Sequence, residues 1–247
     1  EFALGTSYSR KLSDNFSLAI SGRYIYSNLT GGQSAGGIPT VAGQSIAADI
    51  AGYYTNSIRI GDKDFDLAVG GNISNIGSKI SYTETSVKDF VPINLRLGTA
   101  IDTEFDDYNK MSFAFDINKL LVPTPPLYDN GERIAGMNPD VSVVSGIFQS
   151  FWDAPGGTKE EFREINYSIG TEYWYANQFA IRAGYFFEDD TKGGRKFFTF
   201  GSGVKYNVFA LDFSYLINAS RAINGNNPLA NTMRFTLVFD FGAMRER

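Results

Sequence analysis

Two adjacent carboxylate pairs, Asp106-Asp107 and Asp189-Asp190, are the residues of this 247-residue chain whose spacing most invites chemistry. Such pairs serve as general acid–base couples or as oxygen ligands for calcium. Both lie in turn-like stretches beside water, where an aspartate commonly caps a turn, so solvated caps are the expectation and calcium is the rival. The chain contains no histidine and no cysteine, which removes His-based triads, His general bases, thiol nucleophiles, disulfides and zinc-thiolate sites. Ser, Asp and Glu remain, and no enzyme activity, cofactor or metal site is expected from them. A net charge of −5 and a pI near 4.9 argue against a nucleic-acid partner, because phosphate binding needs clustered Lys and Arg.

A second group suits recognition. In DVSVVSGIFQSFWDAPGG, Asp140 to Gly157, the residues Val143, Val144, Ile147, Phe148, Phe151 and Trp152 fall at helical spacing. Asn138-Pro139 suits a helix start and Pro155-Gly156-Gly157 an end, so a helix is expected within 138–157. Ile147, Phe148, Phe151 and Trp152 are assigned to partner binding, with a lid over the mouth of the fold as the alternative role. The Gly-rich LTGGQSAGGIPTVAGQS, Leu29 to Ser45, lacks the Lys-Ser/Thr of a P-loop and reads as a mobile loop. NKLLVPTPP, Asn118 to Pro126, is a stiff segment, either structural punctuation or a ledge for another protein.

What must position these groups is a set of strands. Eleven segments alternate with period two, among them FALGTSYS (Phe2 to Ser9), FSLAISGRYIY (Phe16 to Tyr26), FAIRAGYFF (Phe179 to Phe187), FALDFSYLI (Phe209 to Ile217) and TMRFTLVFDF (Thr232 to Phe241). One side of each is apolar and almost free of charge. The other side is rich in Gly, Ala and Ser and carries Arg23, Asp49, Asp66, Arg96, Asp102, Asp116, Glu172, Arg182, Asp212, Arg234 and Asp240. Those charges either line a solute path or pair with one another, and pairing is the expectation.

A soluble sandwich would place the apolar side against a second sheet, whereas a transmembrane barrel places it against lipid. The connections favour the barrel. Short turns at Lys11 to Asn15, Gly61 to Asp64, Asp106 to Asn109, Ala176 to Gln178 and Asn207-Val208 alternate with long loops at Leu29 to Ser45, Gly77 to Pro92, about Lys119 to Phe162, Glu188 to Arg195 and Asn218 to Asn231. The 14 Tyr, 21 Phe and 2 Trp, several near strand ends, suit aromatic girdles. No apolar run is long enough for a transmembrane helix, and Glu1-Phe2 does not open a signal peptide. The expected fold is therefore all-β: one domain over 1–247, a transmembrane antiparallel up-and-down β-barrel with short periplasmic turns and long extracellular loops, one of which bears a short helix. Parity adds an expectation. The first strand runs inward, so an N-terminal portion with an odd number of strands is expected to precede Glu1 and help close the sheet.

Longer stretches are similar to a known family. NISNIGSKISYTE (Asn72 to Glu84), VPINLRLGTAID (Val91 to Asp102), FAFDINKLLVPTPP (Phe113 to Pro126), SGIFQSFWDAPGGTKEEFREINYSIGTEYWYANQFAIRAGYFFE (Ser145 to Glu188) and NPLANTMRFTLVFDF (Asn227 to Phe241) resemble the PorV family of the Bacteroidota type IX secretion system. The resemblance implies a FadL-like barrel of about fourteen strands in the bacterial outer membrane. It implies a non-enzymatic role: association with the giant translocon barrel, binding of the C-terminal signal domain of cargo proteins, and delivery to the attachment complex containing the PorU sortase. A FadL-like channel for hydrophobic small molecules is the alternative, and an outer-membrane enzyme the third reading.

Overall fold

Residues that alternate between bulky apolar and small or polar side chains, interrupted by short Asn-, Asp- and Gly-rich stretches, have no option but to form strands and turns. The computed structural model describes residues 1–29, 31, 33–34, 39–83, 88–220 and 231–240. It has one eleven-stranded sheet in chain order: β1 (Phe2–Lys11), β2 (Phe16–Ser27), β3 (Gly43–Ile60), β4 (Lys63–Gly77), β5 (Asn94–Glu104), β6 (Asn109–Leu120), β9 (Ile165–Tyr175), β10 (Phe179–Phe187), β11 (Lys196–Tyr206), β12 (Phe209–Asn218) and β13 (Met233–Phe239). The long connection after β6 holds a small hairpin, β7 (Leu127–Asp129) with β8 (Glu132–Ala135), and two helices, α1 (Val143–Gln149) and α2 (Thr158–Arg163). The end members of the large sheet are β1 and β13. No helix of the described residues is long and apolar enough to cross a membrane.

All five expected short turns are found, at 12–15, 61–62, 105–108, 176–178 and 207–208, and they alternate with connections at 28–42, 78–93, 121–164, 188–195 and 219–232. Left-handed backbone marks three of the turns, with Gly61 at φ 63°, Ala176 and Asn177 at 54° and Asn207 at 57°. Asp106 is a turn cap, as expected. Its carboxylate accepts from the Tyr108 N–H at 2.8 Å and the Asn109 N–H at 2.9 Å, and the first of these bonds, followed by the Asn109 side chain, holds the carboxyl below the usual range. Asp189 does the same for Thr191, whose N–H lies 2.9 Å away. The Gly-rich connection after β2 is pinned where Thr40 bridges Thr83 and the Val41 N–H meets the Tyr82 carbonyl. Residues 30, 32, 35–38, most of the final long loop and Phe241 lie outside the described residues.

The chain forms two compact units. In the first (Glu1–Tyr54, Gly70–Leu97, Asn118–Glu164), β1, β2 and β3 pair so that Tyr8, Ile20 and Ile50 form one row and Leu4, Tyr24 and Ile46 another. These rows are exposed, Ile20 at 58% and Ile46 at 71%, so no second sheet covers them. On the opposite side Arg23 donates to Asp49 at 2.7 Å and to Asn75 at 2.8 Å. Asn75, at φ 60°, turns its own N–H onto Asp49 at 2.7 Å. The unit's buried core is small and sits at the strand ends, where Val91, Ile93 and Leu121 gather Ile73 and Ile76 of β4, Leu95 of β5, and Ile80, Phe90, Val143 and Ile147 of the connections.

The second unit comprises Thr55–Val69, Gly98–Ile117 and Ile165–Arg247. It repeats the arrangement: Tyr185 against Phe198, Phe213 against Phe235 and Phe209 against Phe239 form aromatic pairs with centroids 4.8 to 5.2 Å apart. On the polar side Arg182 bonds Glu172 and reaches Asp212 at 2.6 Å. To do so it crosses β11 at Gly203, where a Cβ would lie 2.6 Å from the Asp212 carboxylate and 3.0 Å from the guanidinium. The expectation that charges on this side pair with one another holds for Arg23 and Arg182.

Candidate partner-binding surface

The helix expected within 138–157 is shorter and differently bounded. Ser142 is its N-cap, its hydroxyl accepting from the Ser145 N–H at 3.2 Å, and α1 ends at Gln149. The chain then tightens: Phe151 donates to the Phe148 carbonyl at 3.3 Å and Trp152 to the Gln149 carbonyl at 3.0 Å. Pro155-Gly156-Gly157 does not end a helix but starts α2, with Gly157 at φ 69° as its N-cap. One apolar stripe on one long helix is thereby split. Val143 and Ile147 turn down onto the core cluster, while Phe148 at 60%, Phe151 at 42% and Trp152 at 61% face outward. Of the four residues assigned to partner binding, three share an exposed surface and Ile147 supports them from beneath.

The floor under α1 is the Pro-rich segment. Leu121 belongs to the core, and Gly146 lies so close to Phe90 and Pro123 that a Cβ would meet the Phe90 ring at 2.7 Å and Pro123 at 3.2 Å. Glycine is therefore what lets the helix seat. Of the two roles read for this segment, structural punctuation or a ledge for another protein, the structure shows the first: it supports a helix of the same chain.

A buried polar network, spread over more than forty residues of sequence, fixes the far end of this connection. Lys119, at the end of β6, donates to Glu161 at 3.0 Å and Glu164 at 2.8 Å. Glu161 accepts from the Ala154 N–H at 2.8 Å, and Glu164 from the Thr124 hydroxyl at 2.8 Å. Asp153, only 1% exposed, accepts from the Thr124 N–H at 3.1 Å and the Gln149 side chain at 3.3 Å through Oδ2. Its buried Oδ1 has no hydrogen-bond partner among the described residues. Burial is the main reason that the Asp153 carboxyl is pushed up from its ordinary value, with the Glu161 charge adding to it. Sequence spacing offers no hint of this network, because its members come from β6, the Pro-rich segment, the turn after α1, and α2. The β7–β8 hairpin, by contrast, has a readable signal in Asn130-Gly131, both at positive φ.

The result is a rigid platform: α1 and the following turn are held from below by apolar packing and at the side by ion pairs. Three aromatic side chains are presented outward. Among the described residues no three His, Cys, Asp or Glu converge as metal ligands. No curated protein matches the chain. A family model described as type IX secretion system protein PorV matches residues 1–127, which carry β1 to β6 and the whole Pro-rich floor. With just over half its length matched, and with alternating strands and turns continuing through the remainder, the chain belongs to the PorV family of type IX secretion system proteins.

Proposed function

We propose that this chain is an outer-membrane β-barrel that recruits secreted proteins without chemistry of its own. Its apolar rows face acyl chains, its short turns face the periplasm and its long connections face outward. In this reading closure of the barrel satisfies the outer edges of β1 and β13, whose open N–H and C=O groups would be costly in hydrocarbon. The platform formed by α1 and the turn after it binds the C-terminal signal domain of cargo, beside the giant translocon barrel, and the complex then delivers cargo to the PorU sortase.

The observation that carries this reading is the outward exposure of Phe148, Phe151 and Trp152 on a scaffold whose packing and ion pairs leave it rigid. Aromatic residues on a pre-organised surface lose little entropy on binding. A channel for hydrophobic small molecules asks for an apolar internal pocket. The cavity of about 730 Å³ in the second unit mixes Asp102, Asp116, Glu172, Arg182 and Asp212 with Ile169, Tyr185, Phe186, Phe200 and Phe213 in its wall.

The test is affinity purification in detergent, comparing the native chain with a variant in which Phe148, Phe151 and Trp152 are all serine. The native chain is expected to co-isolate cargo or a very large barrel protein. The variant should lose cargo while keeping heat-modifiable gel mobility. Unchanged cargo release to the cell surface would remove α1 as the docking element, and bound fatty acid with no protein partner would favour the channel.

A further inference from the structure

A second site lies in the first unit, beside α1. Lys79 follows β4, and its side chain is 16% exposed. The ammonium sits 4.5 Å above the Phe90 ring and 3.2 Å from Asp140 Oδ1. The two partners of that ion pair are unlike. Lys79 is half-buried and lies over the ring, whereas the Asp140 side chain is 94% exposed. An ion pair with one freely solvated member contributes little to stability, yet the lysine remains fixed and aimed.

The pair borders a groove of about 670 Å³, which has the size of an ordinary ligand site. Pro123, Pro126 and Tyr128 form part of its wall, and Lys88 lies on its exposed rim. Prolines bring no N–H groups, so the wall offers ring faces and carbonyls, with ammonium groups as the charged donors. Asp89 and Asp140 also border it. With Asp140 in place the charges balance; with Asp140 swung into water, two ammonium groups face one carboxylate.

We infer that Lys79 is the carboxylate-binding centre of a groove for an extended peptide, and that Asp140 occupies it as an intramolecular stand-in until the peptide arrives. A lysine already ordered by Phe90 need not be ordered by the ligand, which is the advantage of a pre-built site. Asp140 lies two residues before Ser142, the N-cap of α1, so exchange of carboxylates at Lys79 couples the groove to the start of the platform. The inference rests on the proposal that these connections receive a polypeptide, and it adds the chemical feature that is read. The carboxylate is either a chain terminus or a Glu or Asp side chain.

The experiment uses the full chain in detergent micelles and fluorescence anisotropy with three labelled Val/Thr heptapeptides. One has a free C-terminal carboxylate, the second is amidated, and the third is amidated with one internal Glu. At least one carboxylate peptide should bind about tenfold or more tightly than the neutral one, and the better of the two identifies the source. Lys79→Met should weaken that binding by about tenfold to a hundredfold, the worth of a charge-assisted hydrogen bond. Asp140→Asn should tighten it, which keeps the test decisive if Lys79→Met folds poorly. Equal binding of all three peptides, no binding of any, or weaker binding by Asp140→Asn overturns the inference. Cargo capture that survives Lys79→Met, with peptide selectivity absent, removes this inference and leaves the proposed function standing. Cargo capture retained by the triple serine variant, with intact peptide selectivity, does the reverse.

Discussion

Replacing Ile20 by arginine separates lipid from water as the neighbour of the apolar rows. Ile20 lies within two residues of the midpoint of β2, 58% exposed, between Tyr8 on β1 and Ile50 on β3. Twelve residues at about 3.3 Å each, tilted by about 45°, span roughly 28 Å, close to the apolar band of about 25 Å in outer-membrane barrels. An arginine at that depth costs about 2–4 kcal/mol. On a water-facing surface the same change would stay within about 0.5 kcal/mol. Reversible guanidinium unfolding in phospholipid vesicles resolves the difference. Ser21→Ala, on the other side of the same strand, loses one exposed hydroxyl bond to Ser7 at 2.9 Å and should cost no more than about 1 kcal/mol. If Ile20→Arg is as stable as the native chain, and the chain stays folded and monomeric in buffer without amphiphile, the lipid-facing assignment is refuted.

Two further outcomes follow from the packing of the connections. Because burial raises the Asp153 carboxyl above its ordinary value near 3.8, its contribution to stability is fully present in acid and is lost as pH rises through the folded-state value. Global stability, read as the guanidinium midpoint, should therefore fall over that window in the native chain more than in Asp153→Asn; equal slopes would contradict the burial argument. Gly77→Ala puts a Cβ 2.8 Å from the Ile46 carbonyl and 3.0 Å from the Ala47 Cα, backbone atoms that cannot rotate away. A loss of about 1–3 kcal/mol is expected, read as a lowered Tm in detergent, and an unchanged Tm would show that β3 and β4 are not so closely apposed there.

The strands were readable because each carries its instruction locally. A period of two with one uncharged flank survives in every segment, and turns at Gly61, Asn177 and Asn207 use residues that tolerate left-handed backbone. The platform was readable only in composition. Val143, Ile147, Phe148, Phe151 and Trp152 looked like one stripe because helical spacing places them together, but spacing cannot say where a helix stops. Ser142 and the tight turn through Trp152 decide that. Asn130-Gly131 marked a hairpin within a stretch that otherwise reads as a loop.

The sequence by itself determined an all-β chain with strictly alternating short and long connections and with no histidine or cysteine for chemistry. Both conclusions depend only on residue identity and near-neighbour order. Tertiary structure decided which apolar residues are covered: Ile147 goes down and Phe148 stays out. It also decided which charges are held, through Lys119 with Glu161 and Glu164, Arg182 with Asp212, and Lys79 over Phe90 beside Asp140. Those partners lie 11 to 61 residues apart along the chain, and a pairing energy that falls off over a few ångströms leaves no periodic trace in sequence.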